Sequence, residues 1–434
     1  MIKRNLSYYA AAILFFVVTA VQPAKAANPD EGMWLANMVR QLNFEYLKQL
    51  GLELSAEEIY NTENASLKDA VVQLYQGGSG FCTGELVSPN GLMFTNHHCG
   101  YEAIVSQSTT EHNYIDDGFW ARSYAEELPI PGLAIRILYD AKDITDSIAP
   151  KVEGLDMAQR RAKITEIQNR IIARYAEQGY EAEVKSMYYG NQYYVYLYQV
   201  YNDVRLTGAP PSSVGNYGGD TDNWMWPRHT GDFSIFRIYA DKSNNPAEYS
   251  AENVPFRPKK FLKISLDGYK EGDFTMIMGF PGSTERYLTS FGMAEVVNES
   301  NPAQVDVFKA VTDVMKSESD KDEAVRIQLA ADYAQLMNGL KLYKTQVDGM
   351  RRMDAVGIKE AQEKEFMKWA KTQGKSTEEK YQAMFNNFEN AYKTSQQIAE
   401  RNKALNISEI LEKNGITKEE MKENFVKSYE ARGR

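Results

Sequence analysis

The distribution of proline divides this 434-residue chain into two parts that must fold differently. All 14 prolines lie at or before Pro302, and only six of the 29 glycines follow it. Proline removes a backbone donor and breaks helix interiors, so long helices are favoured only after this point. We therefore predict a β-rich part followed by an α-helical part, with the change near residue 300.

Short apolar runs between turn residues fill the first part, as is typical of strands. Four of these runs carry the prediction: 133–140, 233–240, 259–266 and 274–280. One stretch within this part, residues 157–187, has helical spacing instead. After residue 300, long charged stretches with apolar residues at helical spacing predict helices. We therefore predict a β domain over 27–298 and a partial α-helical domain over 299–434.

The first 26 residues have the pattern of a secretory signal peptide. Lys3 and Arg4 precede an apolar run, Ala10–Val21, that is too short to span a bilayer, and a small-residue cleavage site ends at Ala26. An uncleaved membrane anchor is the alternative, but no stop-transfer pattern follows. We predict cleavage near Ala26, export to the periplasm or beyond, and no membrane attachment of the mature form.

The charge of the mature chain excludes one class of partner. Removal of residues 1–26 takes away three cations and no acids, so the net charge changes from −10 to −13, with 46 basic against 59 acidic residues. Such a surface repels phosphate backbones, and we therefore expect no nucleic acid partner. The length of the chain favours two or three domains.

Both cysteines and two of the four histidines lie in residues 77–100, GGSGFCTGELVSPNGLMFTNHHCG. Asn90 and Gly91 indicate a two-residue hairpin, whose paired positions sum to 181. Cys82 and Cys99 also sum to 181, so they would face each other across the ladder at a separation that a disulfide tolerates. Because exported proteins meet an oxidising environment, we predict this disulfide. The register could slip by one or two residues, since a Ser-Pro pair flanks the turn.

Two other readings of this stretch are less favoured. The metal alternative is a zinc site formed by Cys82, His97, His98 and Cys99. Neighbouring strand residues point to opposite faces, so three consecutive side chains cannot converge on one ion. A cysteine nucleophile is disfavoured because a thiol held in a disulfide cannot attack. We predict neither metal nor cofactor, and we assign structural roles to His112 and His229.

The stretch FCTGELVSPNGLMFTNHHC resembles the region of chymotrypsin-like serine peptidases in which the histidine before the second cysteine is the general base. The resemblance implies that role for His98 and leaves His97 to packing or a supporting hydrogen bond. Such a base needs a carboxylate that orients its imidazole. Asp232 fits because it follows a glycine and opens an apolar strand, although spacing alone is equally consistent with a structural strand-end carboxylate. Three further acids fit less well: Asp220, Asp222 and Asp241.

Five motifs in order extend the resemblance to most of the chain: DEGMW (30–34), GFCTGELVSPNGLMFTNHHC (80–99), NWMWPRHTGDFSIFRIY (223–239), MGFPGSTERYLTS (278–290) and NGLK (338–341). Together they look like the bacterial periplasmic dipeptidyl peptidases of the 7/11 type. These are chymotrypsin-like exopeptidases with a helical domain inserted between two β-barrels. The resemblance implies the first of those barrels, then part of the helical domain, and peptide substrates cleaved through an acyl-enzyme. It leaves a homodimer open.

The same resemblance implies a site for the free amino terminus of the substrate. Asn223 and Trp224 match the Asn-Trp pair of that site, and Asn338 matches its asparagine from the helical domain. Side-chain carbonyl oxygens would accept from the ammonium, and the indole would close the pocket. The alternatives are core packing for Trp224 and a solvated helix position for Asn338.

The nucleophile of that family has no counterpart in this chain. The family's serine lies in a Gly-Asn-Ser-Gly-like motif on the second barrel, and no such motif occurs here. Ser79 precedes the histidine stretch without a strand–turn context, and Ser283 falls on the wrong barrel. We therefore expect the N-terminal part of the enzyme, inactive alone. A catalytically inactive peptide-binding remnant and a chymotrypsin-like endopeptidase are the competing hypotheses.

Overall fold

A computed structural model describes residues 34–39, 41, 44–283, 285 and 287–404, with side chains as far as residue 397. The predicted signal peptide and the charged tail after residue 404 lie outside the described residues. The chain divides into two compact units, Met1–Asn61 and Thr62–Arg434. Among the helices of the described residues, none combines the length and the apolarity that crossing a bilayer requires.

The described part of the first unit is helical. A 3-10 turn, Ala36–Met38, precedes helices α1 (Phe44–Gln49) and α2 (Ala56–Ile59). A capping box opens α2: the Ser55 hydroxyl accepts from the Glu58 N–H at 3.2 Å, and the Glu58 carboxylate accepts from the Ser55 N–H at 2.8 Å. These reciprocal bonds satisfy two backbone donors that a helix start leaves unpaired.

Eleven strands in the described part of the second unit form one antiparallel sheet. They are β1 (Val71–Gln76), β2 (Ser79–Leu86), β3 (Leu92–Thr95), β4 (Phe119–Trp120), β5 (Leu128–Pro129), β6 (Ala134–Asp143), β7 (Glu181–Met187), β8 (Gln192–Tyr201), β9 (Asp203–Ala209), β10 (Ser234–Ala240) and β11 (Val254–Pro255). Their order across the sheet is β4-β9-β10-β3-β2-β1-β6-β8-β7, with β11 paired to β10 and β5 paired to β9.

Part of the sheet curves around one apolar cluster. Leu74 of β1, Leu206 of β9 and Phe236 of β10 are fully buried in one apolar cluster, although β1 and β9 lie four places apart in the sheet. Strands are spaced by about 4.8 Å, so a flat sheet would separate these two strands by roughly 19 Å. Shared burial therefore requires curvature like that of a barrel.

Helices flank the sheet and then replace it. Those within the sheet part are α3 (His97–Ser106), α4 (Tyr114–Asp117), α5 (Thr145–Val152), α6 (Met157–Ala176), α7 (Ser212–Gly215) and α8 (Gly219–Asp222). The C-terminal helices are α9 (Ser290–Glu295), α10 (Asn301–Ser319), α11 (Glu323–Arg352), α12 (Ala355–Thr372) and α13 (Lys375–Ala404), with a π-helical turn, Val296–Ser300, between α9 and α10. The predicted fold class, a β-barrel part followed by a mostly α-helical part, is confirmed.

The predicted helical insert over 157–187 is helical only in its first two thirds. Helix α6 ends at Ala176, residues 177–180 form a turn, and β7 follows from Glu181 to Met187. Gly179 adopts a left-handed backbone conformation with φ +82°, and the Tyr180 N–H donates to the Tyr175 carbonyl at 3.1 Å. This arrangement is a glycine-dependent helix stop. It turns the chain back into the sheet.

Two of the four predicted strands named above are wrong. Residues 134–140 and 234–240 lie in β6 and β10, close to the predicted bounds, but 259–266 and 274–280 have no regular secondary structure. The side chains of Leu266 and Ile277 are 93% and 100% exposed. A strand needs a hydrogen-bonded neighbour, and no strand of the described residues pairs with either stretch. An apolar pattern indicates that a segment favours the strand conformation, but it does not show whether another strand is available to pair with it.

The predicted two-residue hairpin at Asn90 and Gly91 is also wrong. Residues 87–91 join β2 to β3, and pairing of Leu86 with Met93 shifts the register by two residues from the predicted one. A type I′ turn needs positive φ at both central residues, and only Gly91 has it. The Ser88 hydroxyl stabilises the longer loop, since it accepts from the N–H groups of Asn90 and Leu92 at 3.2 and 3.1 Å.

Candidate active site

Two neighbouring strands bring His98 and Asp232 together. His98 is the second residue of α3, which begins directly after β3, and Asp232 precedes β10. Strands β3 and β10 are antiparallel neighbours, with Thr95 opposite Ser234. The end of β3 and the start of β10 therefore lie at the same edge of the sheet. The two side chains meet there although 134 positions separate them.

His98 and Asp232 form a hydrogen-bonded pair of the kind that serves general base catalysis. The His98 Nδ1 lies 2.8 Å from Asp232 Oδ2, and the His98 backbone N–H donates to Oδ1 at 3.0 Å. A carboxylate only accepts, so Nδ1 is the donor and Nε2 keeps a free lone pair. The imidazole is 70% exposed and the carboxylate 24%. The His98 imidazole is therefore accessible to a group that the described residues do not supply.

The carboxylate of Asp232 is held ionised by its neighbours. Burial alone would raise the pKa of Asp232, but hydrogen bonds from His98 and the charge of its ring outweigh burial, and the pKa is lowered from its ordinary value. Asn96 adds support, since its Nδ2 donates to Asp232 Oδ2 at 3.2 Å. An ionised carboxylate keeps the proton of His98 on Nδ1 and favours a positive charge on the imidazole.

Asn96 and Ser234 are two supporting residues that the sequence did not identify. The Asn96 side chain also donates to the backbone carbonyl of Asp232 at 3.2 Å. The hydroxyl of Ser234, a fully buried residue, donates to the Asn96 carbonyl at 2.8 Å. Together they tie the start of α3 to the start of β10. Their only signal in the sequence was adjacency to the predicted pair, and adjacency does not distinguish support from packing.

His97 is enclosed in the core. Its ring is 2% exposed, and it packs so closely on Gly215 that any Cβ at that position would overlap the ring. Burial lowers the pKa of His97, although the charge of Asp232 opposes the shift. A neutral, enclosed imidazole has no access to a substrate. The geometry is that of a packing residue.

A disulfide joins Cys82 to Cys99, with their Cα atoms 6.1 Å apart. The predicted cross-strand geometry is wrong, because Cys82 lies opposite Leu74 of β1 and Cys99 lies in the first turn of α3. The bond therefore connects a strand to the helix that carries His98. Two side chains that a regular hairpin would not have paired are joined because α3 folds back towards β2.

The argument from strand alternation against a zinc site is wrong, since residues 97–99 are helical. Ligand atoms of Cys82, His98 and Cys99 lie within 4.8 Å of one another, and His97 is outside this group. The two sulfurs are bonded to each other, however, and a metal requires thiolates. In the disulfide form this group offers a metal only the imidazole.

The predicted amino-terminus residues also come together across a large sequence separation. Asn223 Nδ2 donates to Asn338 Oδ1 at 2.9 Å, and Trp224 Nε1 donates to the Asn338 carbonyl at 3.2 Å. Asn223 and Trp224 follow α8, and Asn338 lies in the middle of α11. Trp224 is 51% exposed and has φ +59°, a strained backbone state for a bulky residue. Such strain occurs at functional sites more often than elsewhere.

The other predicted carboxylates do not contact His98. Asp220 and Asp222 lie on α8. Asp241 follows β10 at its opposite end, where it accepts from the N–H groups of Ser243 and Asn245. Burial raises the pKa of Asp220, and the charges of Lys341 and Arg228 oppose that rise.

Neither of the two serines considered as nucleophiles contacts the pair. The hydroxyl of Ser79 donates to the Gly80 carbonyl at 3.4 Å, and Ser283 lies in the stretch without regular structure. Within the described residues, no serine hydroxyl is hydrogen-bonded to the ring of His98.

The two remaining histidines lie elsewhere. His112 stacks on Tyr114, and His229 lines a cavity of about 470 Å³ together with Arg228 and Thr230.

A family profile described as Peptidase S46 matches residues 29–432. The chain belongs to this family. The resemblance drawn from the five motifs is therefore confirmed. Membership in S46 indicates common ancestry. The geometry of His98 and Asp232 is consistent with a peptidase family.

Named relatives within S46 are dipeptidyl peptidases. The chain is 47% identical over 368 residues to a dipeptidyl-peptidase 7 of Porphyromonas endodontalis, which covers 84% of this chain and 44% of the relative. It is 42% identical to an Asp/Glu-specific dipeptidyl-peptidase of Flavobacterium psychrophilum, with coverage of 84% and 50%. The chain spans about half the length of the curated relatives it matches.

The matched parts of solved structures of relatives have the same fold as this chain. DPP11 of Porphyromonas endodontalis in complex with the dipeptide Arg-Glu matches with a TM-score of 0.76 and 43% identity, over 84% of this chain and 53% of that chain. The complex of the same relative with Arg-Asp matches with a TM-score of 0.75 and 42% identity, over 85% and 53%. The matched regions are therefore similar in both sequence and fold.

Proposed function

We propose that this chain supplies the general base, its acid and the amino-terminus site of a serine-type dipeptidyl peptidase. The observation that carries the proposal is the geometry of His98 and Asp232, in which a doubly hydrogen-bonded carboxylate leaves Nε2 of an exposed imidazole free. This is the arrangement that activates a serine in acyl transfer. The names of the relatives differ in specificity, and the proposal covers the release of dipeptides that they share.

In this proposal the described residues provide the proton transfers, and the serine comes from outside them. His98 Nε2 accepts the serine hydroxyl proton as the oxygen bonds to the scissile carbonyl carbon. It then gives that proton to the amine that leaves when the C–N bond breaks. Water hydrolyses the acyl-enzyme by the same transfers in a second cycle. Asp232 stays ionised and stabilises the imidazolium at each stage.

Recognition of the amino terminus accounts for the release of short products. An ammonium has three donors and no acceptor, so it binds where oxygens converge. The side-chain amides of Asn223 and Asn338 are hydrogen-bonded to each other, so each can offer an oxygen in the same region, and the Trp224 indole is bonded to Asn338 there as well. A site that holds the amino terminus at a fixed distance from the base defines how many residues precede the cut.

The test of this proposal is acetylation of the substrate amino terminus. We expect a free dipeptidyl substrate to be cleaved with a kcat/KM that exceeds that of its acetylated form by roughly 10³-fold or more, because acetylation removes the donors and leaves the site's polar groups unpaired. The measurement compares both substrates with the protein as its complete gene encodes it. Equal cleavage of the two would instead support the endopeptidase hypothesis.

Export is proposed on the same footing, with the signal pattern of residues 1–26 as its support. We expect a non-reduced digest of protein isolated from the periplasm to contain a linked Cys82–Cys99 peptide and an amino-terminal peptide that starts near Ala27. Reduction should lower the free energy of unfolding by about 3 kcal/mol, since the bond closes a loop of moderate length. Two alkylatable thiols would contradict the disulfide, and an intact Met1 would contradict cleavage of the signal peptide.

The homodimer is still a prediction, and measurement of the sedimentation coefficient would test it.

A further inference from the structure

Arg228 lies beside the amino-terminus site without being part of it. Its Nη1 donates to Asn223 Oδ1 at 2.9 Å, and its Nη2 donates to Asn216 Oδ1 at 3.1 Å. The side chain also forms part of the wall of the 470 Å³ cavity. Arg228 thus connects the turn after α7 to the loop that carries Asn223.

The chemistry of a guanidinium fixes the orientation of the Asn223 amide. Arginine carries five N–H donors and no acceptor, so the Asn223 atom that faces it must be the oxygen. The amide nitrogen of Asn223 then points to Asn338, and the Asn338 atom that faces it must also be an oxygen. The observed bond from Asn223 Nδ2 to Asn338 Oδ1 at 2.9 Å has this sense. One residue therefore determines the orientation of two amides.

The docking of the loop on α11 does not depend on Arg228. Trp224 Nε1 donates to the Asn338 backbone carbonyl at 3.2 Å, and Lys341 Nζ donates to the Thr221 carbonyl at 3.0 Å. These two bonds hold the loop against the helix on either side of Asn223. Loss of the guanidinium would leave the backbone in position and free only the rotation of the amides.

We propose that Arg228 is a positioning residue that keeps the carbonyl oxygens of Asn223 and Asn338 turned towards the substrate ammonium; this rests on the proposed function. Each amide oxygen has two lone pairs. One of them serves the relay from Arg228 through Asn223 to Asn338, and the other serves the ammonium. Without the relay, either amide can present NH₂ instead, and a donor facing an ammonium repels it.

Charge alone would give Arg228 the opposite effect. A guanidinium near an ammonium site weakens the binding of a cation, because like charges repel. Its removal should therefore tighten binding if electrostatics were its only contribution. A positioning role predicts weaker binding on removal, so the sign of the change in KM separates the two.

The experiment compares Arg228→Leu, Arg228→Lys and the control Arg257→Leu in the full gene product. Arg257 is an exposed arginine near β11, and its replacement should leave the kinetics unchanged. For Arg228→Leu we expect KM of the free dipeptidyl substrate to rise about tenfold, the effect of one lost hydrogen bond, with kcat changed less than about threefold. Arg228→Lys keeps a cation that can donate to Asn223 but lacks the fork that also reaches Asn216, and it should give an intermediate KM. Thermal unfolding of each variant checks that it folds.

A second substitution tests the orientation itself. In Asn223→Asp both oxygens of residue 223 are acceptors and the donor to Asn338 is gone, so the orientation of neither side chain depends on Arg228. We expect Arg228→Leu to raise KM less than about twofold in that background. A tenfold rise there too, or an unchanged or lower KM for Arg228→Leu alone, would overturn the positioning role. If the wild type cleaves free and acetylated substrates equally, the proposed function fails first, which is a distinct result.

Discussion

Replacement of His98 by alanine is expected to lower kcat by roughly 10⁴- to 10⁶-fold, with little change in KM. Without the imidazole nothing accepts the serine proton, so attack on the carbonyl would depend on the weak basicity of water. The fold should persist, because the His98 ring is 70% exposed and packs little surface. Steady-state kinetics on a free dipeptidyl substrate and thermal unfolding, both with the full gene product, measure the two quantities.

His97→Ala is the matched control for this prediction. The two histidines are adjacent, but the His97 ring is buried against Gly215, and it is the His98 ring that bonds to Asp232 Oδ2. We expect His97→Ala to lower the unfolding temperature through the cavity that it leaves, with a loss of kcat far smaller than that of His98→Ala. Similar losses of kcat in two folded variants would show that the base has been misassigned.

The role of His98 was predicted from the resemblance to chymotrypsin-like serine peptidases, and Asp232 was chosen as its partner because it opens an apolar strand. The run 233–240 marks β10 without ambiguity, and the position of Asp232 before it follows directly. The histidine stretch follows β3 in the same way. What the sequence could not supply was the backbone state of residues 97–99, since a helix start needs tertiary contacts as well as propensity. Here Asn96 bonds to Asp232, a residue 136 positions away.

The register of β2 and β3 failed for a different reason. Asn-Gly is a strong turn signal, but the Ser88 hydroxyl satisfies two backbone N–H groups of a longer loop. A side chain that bonds its own loop competes with the regular turn. The two cysteines still meet, because α3 carries Cys99 back towards β2. A correctly predicted disulfide shows that two cysteines are close in space, but it does not show which secondary-structure elements carry them.

The contact between Asn223 and Asn338 was out of reach of local patterns. Two asparagines 115 positions apart share no periodicity, and only the family resemblance suggested that they meet. Arg228 was missed although it lies inside the NWMWPRH motif, because a single arginine in a loop has no distinguishing spacing. Its partners become evident only when α7, α8 and α11 are assembled.

Asp232→Asn is expected to lower kcat by about 10⁴-fold, the magnitude typical of the equivalent change in serine peptidase triads. The geometry here makes the reason specific. The His98 backbone N–H donates to Asp232 Oδ1, so the single oxygen of an asparagine would be kept at that position. Its NH₂ would then face Nδ1 of His98, which must become the acceptor. The proton would move to Nε2, and the nitrogen that should attack the serine proton would already carry one.

The control for this variant is Asp241→Asn, at the opposite end of β10. It removes an equal charge from a turn that makes no contact with His98, so kcat should change by less than about threefold.

The pKa of Asp232 gives a second measurement, the dependence of stability on pH. Because the pKa of Asp232 is lowered in the folded protein, its carboxylate contributes stability above the ordinary aspartate pKa, and this contribution is lost as the pH falls through the folded pKa. Asp232→Asn should therefore flatten the acid limb of the stability curve measured by thermal unfolding. An unchanged acid limb together with wild-type kcat would show that Asp232 neither pairs with His98 in solution nor orients it.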